Sequence, residues 1–215
     1  MSETFSFWPY LLSGFIGIGL AAASGFRVFL PMFAVSLASY MGWIPMSENF
    51  QWLAGLPTLI TTGIATVVEV LAYYIPFVDH LLDTISVPLA TIAGSVMFAS
   101  QFADIGTFPQ WALALIAGGG TAAVISSGFA GTRAASTATT GGLGNSVVAT
   151  TETAGAGLMS ALALAAPILA GIAAIVLVIT VFLLGRKIWN KFRGAQTSSN
   201  MRTIQAEAVD RKHLE

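Results

Sequence analysis

Four ionisable residues lie within apolar stretches that are long enough to cross a lipid bilayer. They are Arg27, Glu69, Arg133 and Glu152. A charged side chain at that depth is costly in free energy, and such side chains usually mark a functional site. The arginines could attract an anionic group or neutralise a carboxylate, and the glutamates could accept protons. The sequence therefore predicts a polar intramembrane site built from these four residues.

Each half of the chain supplies one of the arginines and one of the glutamates. Pairing Arg27 with Glu69, and Arg133 with Glu152, would bring the formal charge of the site to zero. Buried pairs are not reliably stabilising, because both ions must be desolvated. Two interpretations stay open: the pairs hold the helices in register, or they line a pathway for an ion or solute.

Side chains with hydroxyl and amide groups are concentrated from residue 131 to residue 157. The candidate neutral ligands among them are Thr132, Ser136, Asn145 and Thr151. Such a segment is too polar to face lipid, and irregular backbone inside a membrane is tolerated only where protein or water covers it. We therefore expect a broken or re-entrant element that lines a cavity. The alternative is close helix packing, in which Ser and Thr donate to carbonyl groups of their own helix.

The composition is that of a membrane protein. Apolar residues make up 55% of the chain, charged residues only 9%, and the mean hydropathy is +0.79. Soluble domains contain about 25% charged residues. A water-soluble fold is therefore excluded. The absence of cysteine from the sequence also excludes disulfides, thiolate metal ligands and cysteine nucleophiles.

A membrane-spanning helix needs roughly 20 predominantly apolar residues. The chain contains six apolar units of about this length or longer, at residues 8–43, 57–75, 85–103, 110–133, 145–166 and 167–184. The first is too long for one helix, and we expect it to break at Ser24-Gly25-Phe26-Arg27. Residues 44–55 resemble an interfacial segment, and residues 77–84 resemble an acidic loop. The fold class predicted is an all-α, polytopic transmembrane bundle.

The two halves of the chain also share a pattern. A Ser-Gly-Phe run is followed by Arg27 and Glu69 in the first half, and by Arg133 and Glu152 in the second. Three spans in each half would place the halves in opposite orientations, as in many secondary transporters. We therefore predict a 3+3 inverted repeat with halves at about 8–104 and 109–187. The transmembrane domain would cover residues 1–193, followed by a polar tail at 194–215.

Basic residues are concentrated after the last apolar stretch. Seven of the nine Lys and Arg residues lie from Arg186 onward, and only Arg27 and Arg133 precede them. The positive-inside rule therefore predicts a cytoplasmic C-terminus, and an even number of spans places the N-terminus on the same side. The expected location is the inner membrane of a bacterial cell.

Other residues could in principle do chemistry. Asp79, His80 and Asp83, with Asp104 on another loop, could bind a hard cation, but they do not form a closed ligand set. Ser24 and the pair at 126–127 lack a suitable histidine base. We therefore expect no metal, no cofactor and no enzymatic activity. The partners expected are the lipid bilayer and a small ion or solute, without nucleic acid; self-association is left open.

Several segments share a pattern with known membrane proteins. They are Ala21-Ala22-Ala23-Ser24-Gly25-Phe26-Arg27-Val28-Phe29-Leu30-Pro31, Glu69, Ile75-Pro76-Phe77-Val78-Asp79, Asp83, Ala130-Gly131-Thr132-Arg133-Ala134, Asn145 and Glu152. In these segments the chain resembles a family of bacterial integral membrane proteins, the domain of unknown function numbered four-one-two-six. The resemblance spans roughly residues 10 to 185. It implies a compact membrane domain and supplies no substrate.

Taken together, these features favour a small membrane transporter or channel for an ion or small polar solute. The competing interpretation is a membrane scaffold or assembly protein, in which the buried charges only fix helix packing. A membrane enzyme that acts on lipid is a more distant alternative.

Overall fold

The structure is a computed structural model that describes residues 7–102 and 105–212, and their side chains except at residues 76, 77, 80 and 191–212. The α-helices are α1 (Trp8–Phe26), α2 (Phe29–Tyr40), α3 (Leu56–Ala72), α4 (Pro76–Ala99), α5 (Thr107–Leu113), α6 (Gly120–Thr140), α7 (Asn145–Ala165) and α8 (Pro167–Lys212). A 3-10 helix, Glu48–Ala54, precedes α3, and a π-helical segment, Ala114–Gly119, joins α5 to α6. The described residues contain no β-strand, so the predicted all-α class is confirmed.

Five helical segments of the described chain are long and apolar enough to cross a membrane. They are Trp8–Phe26, Leu81–Ala99, Thr107–Thr140, Asn145–Ala165 and Pro167–Asn190. A sixth span results if the 3-10 helix and α3, which meet at an angle of 59°, are counted as one bent span. The prediction of a polytopic helical bundle is therefore confirmed, and the predicted six spans require that bent pair.

The first apolar stretch breaks at Arg27, as predicted. Helix α1 ends at Phe26, Arg27 is extended with φ −143° and ψ 134°, and α2 begins at Phe29. In an uninterrupted helix the ring of Pro31 would clash with the carbonyl group four residues earlier, which belongs to Arg27. Because the new helix α2 begins at Phe29, Pro31 lies in its first turn, where proline is tolerated. The break is thus encoded by Pro31.

The predicted acidic loop at residues 77–84 is wrong, because α4 begins at Pro76 and includes the whole segment. Proline at the first helical position and Asp79 in the first turn both favour a helix N-terminus here. The polar residues of this segment therefore mark the start of a helix and not a loop. The consequence is that Asp79 and Asp83 lie one turn apart on a helix.

The broken or re-entrant element predicted between residues 131 and 157 is also not present. Helix α6 runs to Thr140, Gly141 and Gly142 turn the chain with φ of 64° and 91°, and α7 begins at Asn145. Hydroxyl groups donate to their own helix, as Thr139 does to Ala135 at 2.8 Å. The polar side chains are thus satisfied within regular helices.

Helix α1 lies at the centre of the bundle. Leu20 and the alanines at 21–23 are completely buried, and α1 contacts α4, α6 and α7. At Gly25 the approach of α6 is so close that an added Cβ would lie 2.7 Å from the Cβ of Ile125. Glycine therefore lets the C-terminal end of α1 pack directly on α6, next to the break that carries Arg27.

The described chain divides into two compact units between Val178 and Ile179. The first unit contains α1 to α7 and the start of α8, where Ala170 and Ala174 are buried. The second unit is the rest of α8, which continues as a helix to Lys212. Its large apolar side chains, such as Phe182 and Ile188, are exposed. Residues 194–212 of the predicted polar tail are thus helical and form the end of α8.

Candidate functional site

Arg27 lies at the break between α1 and α2, and its side chain is completely buried. Its Nη2 atom donates to the carbonyl oxygen of Ala149 at 2.8 Å, and its Nε atom donates to Oγ1 of Thr153 at 3.2 Å. The carboxylate of Glu152 is 3.4 Å from Nη2. All three partners belong to α7, so Arg27 ties the α1–α2 break to that helix.

Glu69 projects from α3 to the N-terminus of α2. Its two carboxylate oxygens accept the backbone N–H groups of Val28 at 2.8 Å and Phe29 at 3.0 Å. These N–H groups have no partner within the helix, and a negative charge is favourable at a helix N-terminus. The predicted salt bridge between Arg27 and Glu69 is therefore replaced by a carboxylate cap on α2.

Glu152 lies on α7 and joins the two arginines. Its Oε2 atom accepts from Nη2 of Arg133 and also lies 3.4 Å from Nη2 of Arg27. The side chain of Glu152 is only 1% exposed. The predicted pair of Arg133 with Glu152 is present, and the same carboxylate also serves Arg27. One buried glutamate thus bridges cations from both halves of the chain.

Asp79 and Asp83 bind Arg133 from α4. Nη1 of Arg133 donates to Oδ1 of Asp83 at 2.5 Å and to Oδ1 of Asp79 at 3.3 Å. Asn145 at the start of α7 donates from Nδ2 to Asp79 at 2.8 Å and to Thr137 at 3.2 Å. The sequence analysis considered both aspartates only as loop residues that could bind a cation, and so missed their role as partners of Arg133. The available signal was that the two aspartates are four residues apart and follow Pro76, which can begin a helix.

The ring of Tyr73 lies between the two guanidinium groups. The Cζ atoms of Arg27 and Arg133 are each 4.0 Å from the ring centroid, and Tyr73 is 7% exposed. An aromatic face attracts a cation, so the ring separates two like charges and interacts favourably with both. Tyr73 was not predicted as a site residue, because aromatic residues are common in membrane helices for other reasons.

The predicted neutral ligands divide into two groups. Asn145 is buried and contacts Asp79. Thr132 and Thr151 are exposed, and their hydroxyl groups donate to the carbonyl groups of residues 128 and 147 at 2.9 Å. Ser136 is half-buried with its hydroxyl group 3.4 Å from that of Thr140. The structure therefore brings Asn145, but not the other three, to the charged residues.

We call the six ionisable side chains described above the buried ionic cluster. Its members are Arg27, Glu69, Asp79, Asp83, Arg133 and Glu152. All are at most 9% exposed except Asp83, whose side chain is 21% exposed. With every group ionised, four carboxylates face two guanidinium groups, which leaves a formal charge of −2 instead of the zero that the sequence predicted. Asp83 is the member that is most accessible from outside.

A small cavity adjoins the cluster. Its volume is about 20 Å³, and its walls include Glu69, Asp83, Arg133 and Glu152 with the hydroxyl residues Ser24, Ser86 and Ser126. About 10–15 Å³ of such volume is enough for one water molecule, provided that polar partners surround it. The cavity thus has the room and the polar partners for one water molecule.

The described part of the chain contains no group of three or more His, Asp or Glu side chains that could hold a metal ion. Two residues of the cation hypothesis, Asp104 and the side chain of His80, lie outside the described residues. Asp79 and Asp83 point to Arg133, so their role within the cluster is to bind a guanidinium group.

The apolar helices and the buried ionic cluster define a multi-pass membrane protein. The chain belongs to the family described as Domain of unknown function (DUF4126), which matches residues 15–187. All six cluster residues lie inside the match, and the resemblance seen in the sequence is confirmed. No curated protein and no solved structure matches the chain.

Proposed function

We propose that this protein is a small transporter or channel for an ion or small polar solute. The observation that supports it is the buried ionic cluster, which is assembled from the α1–α2 break, α3, α4, α6 and α7. Ionisable side chains in the interior of membrane proteins typically mark ion and substrate pathways. We assign no catalytic step to the cluster.

The broken helix gives further support. In many secondary transporters the substrate or ion site lies where membrane helices are interrupted, because the exposed backbone groups there can bind charge. Here Arg27 and the N-terminus of α2 lie at such an interruption, and Glu69 binds two of the freed N–H groups. The predicted inverted repeat would be consistent with this plan and stays a prediction.

A scaffold function is the second candidate, and one observation favours it. The cluster is extensively paired, with Arg133 bound by Asp79, Asp83 and Glu152 and Arg27 bound to α7. Such a network would hold α4, α6, α7 and the α1–α2 break in register without transporting an ion or solute. A buried network is not reliably stabilising, however, which leaves its presence unexplained if packing is its only role.

Transport can be tested by reconstituting the full chain into liposomes and measuring flux of Na⁺, K⁺, Cl⁻, protons and small polar solutes. We expect flux of at least one of these above that of protein-free liposomes. Asp83→Asn is expected to lower it strongly, since a pathway residue has been neutralised. Glu48→Gln, which removes an exposed carboxylate outside the cluster, is the matched control. A folded protein that moves none of these species would favour the scaffold.

We further propose that both termini are cytoplasmic and that the membrane is the bacterial inner membrane, because the basic residues cluster from Arg186 onward. Single cysteines at Glu3 and Asn200 should resist an impermeant thiol reagent added to intact cells and react after permeabilisation. Labelling of Asn200→Cys in intact cells would contradict this orientation.

A further inference from the structure

The buried ionic cluster has more negative than positive groups. Four carboxylates face two guanidinium groups, and Glu152 and Asp79 are only 1% and 2% exposed. An uncompensated charge in a low-dielectric interior is costly, and a carboxylate there usually becomes neutral or gains a positive partner. One or two additional positive charges would therefore bring the net charge of the cluster closer to zero.

The space beside the cluster limits what those charges can be. The cavity of about 20 Å³ fits one water molecule, and Arg133 forms part of its wall. A metal cation there would be repelled by the guanidinium group. A chloride ion would meet three carboxylates in the same wall, Glu69, Asp83 and Glu152. A proton needs no room beyond the oxygen atom that accepts it.

The walls of the cavity also offer the partners that a water molecule needs. The Nε atom of Arg133 is buried and has no hydrogen-bond partner among the described residues. Carboxylates from α3, α4 and α7 supply acceptors around the same space. A water molecule that accepts from Nε can still donate to two of these carboxylates.

We infer that the ion which passes through this cluster is the proton, and that Asp83 and Glu69 exchange it through one water molecule in the cavity. This deepens the proposed transport function and rests on it. When protonated Asp83 releases its proton, the water oxygen accepts it, and another proton of that water moves to a carboxylate oxygen of Glu69. The O–H bond that breaks on Asp83 is balanced by the one that forms on Glu69, and the water is regenerated.

The two ends of this exchange differ in access. Asp83 is partly exposed at 21%, whereas Glu69 is 9% exposed and caps α2. Protonation would weaken the cap, because a neutral carboxyl group has only one good acceptor oxygen left for two N–H donors. Arrival of a proton at Glu69 is thus coupled to the α1–α2 break.

Other charged and titratable groups surround the pair on each packed element. They are Arg27 at the α1–α2 break, Tyr73 and Tyr74 in the turn after α3, Asp79 on α4, Arg133 on α6 and Glu152 on α7. His80 is next to Asp79 in the sequence. Arg133 forms ion pairs with Asp79, Asp83 and Glu152, and Asp83 is the most exposed of these three carboxylates. Glu69 caps α2 instead.

The inference can be tested with the full chain in liposomes that contain a pH-sensitive dye and carry a valinomycin-set potential, negative inside. We expect the interior to acidify faster than in protein-free liposomes. Asp83→Asn should slow the acidification by about a hundredfold or more, since a positioned proton-transfer group contributes roughly 10²–10⁴-fold to a rate. Glu69→Gln should do the same, and Glu48→Gln should retain the original rate.

A second variant leaves every charge in place. Ala130 lines the cavity, and Ala130→Val should fill the space of the water molecule and slow acidification by a similar factor. Ala135→Val makes the same change at an exposed position of α6 and should have no effect. Thermal unfolding in detergent identifies variants that are folded, so Ala130→Val keeps the test decisive if Glu69→Gln does not fold.

The outcomes separate the two proposals. Flux of Na⁺, K⁺, Cl⁻ or a solute without proton flux would overturn the proton inference and leave the transport function standing. A folded protein without any flux would overturn the transport function itself. Proton flux that persists at the full rate in both Asp83→Asn and Ala130→Val would overturn the route through the cavity.

Discussion

The two glutamates that the sequence places in equivalent positions have different partners. Glu69 accepts two backbone N–H groups of α2, whereas Glu152 contacts the guanidinium groups of Arg27 and Arg133. The difference begins at the arginines. Arg27 lies at a helix break, which frees backbone donors, and Arg133 lies inside the uninterrupted α6, which frees none. A carboxylate beside an uninterrupted helix has no free backbone N–H group to bind, so its partner must be a side chain.

This comparison assigns different tasks to the two ends of the cluster. The Glu69 end stabilises a piece of backbone, and the Glu152 end compensates buried charge. Losing a carboxylate at a helix N-terminus costs less than leaving a buried cation without its counter-ion. The order of the effects below depends on that difference.

The largest loss of stability is expected at the Glu152 end. Arg133→Gln removes the cation that Asp79, Asp83 and Glu152 share, and breaking a buried pair from one side costs about 3–5 kcal/mol. Thermal unfolding of the purified protein in detergent measures it. The matched control is Arg186→Gln, which alters an exposed arginine and should change little.

Adding Glu152→Gln to Arg133→Gln tests whether these charges act as a unit. We expect the double variant to lose less stability than the sum of the two single variants, because each single change already breaks the same Arg133–Glu152 pair. Strictly additive losses would contradict the bridging role of Glu152.

A smaller loss is expected at the Glu69 end. In Glu69→Gln the amide keeps one acceptor oxygen for the two N–H groups of Val28 and Phe29, so we expect a cost of about 1–2 kcal/mol. Hydrogen exchange at these two amides should accelerate. If Glu69→Gln destabilises as much as Arg133→Gln while exchange at Val28 and Phe29 is unchanged, the distinction between the two ends is wrong.

Tyr73 connects the two ends and should have an intermediate to small effect. Tyr73→Leu removes the aromatic ring between Arg27 and Arg133 and should cost about 1–2 kcal/mol, whereas Tyr73→Phe should retain most of the stability because it keeps the ring. Equal losses in the two variants, again measured by unfolding, would show that the hydroxyl group matters and not the ring.

The smallest effects are expected at the predicted neutral ligands that the structure places outside the cluster. Thr132→Ala and Thr151→Ala each remove an exposed hydroxyl group bound to its own helix, and such changes usually alter stability by less than about 0.5 kcal/mol. Asn145 is the contrasting case, because the structure brings it to the cluster: Asn145→Ala removes a buried donor to Asp79 and should cost about 1–3 kcal/mol, more than the threonine changes. A large loss of stability in Thr132→Ala would show that Thr132 does contribute to the site.

Much of the fold follows from local signals. Hydropathy along the chain predicted the all-α bundle, and Pro31 is placed so that a helix cannot pass through Arg27. The Asp79 segment was misread because hydropathy averaged over several residues does not distinguish a polar loop from a polar first turn. The hydroxyl-rich segment was misread because the same threonines can serve a cavity or their own helix.

The amino-acid sequence was sufficient to reveal that ionisable side chains lie inside a membrane protein and that one of them lies at a helix break. Both properties depend on neighbours within a few residues. Partner choice depended on the tertiary structure: Arg133 meets Asp79 and Asp83 from 54 and 50 residues earlier in the chain. A carboxylate three residues after a proline, such as Asp79 after Pro76, gives the same sequence pattern whether it faces water or a guanidinium group. Only the packing of α4 against α6 decides between them.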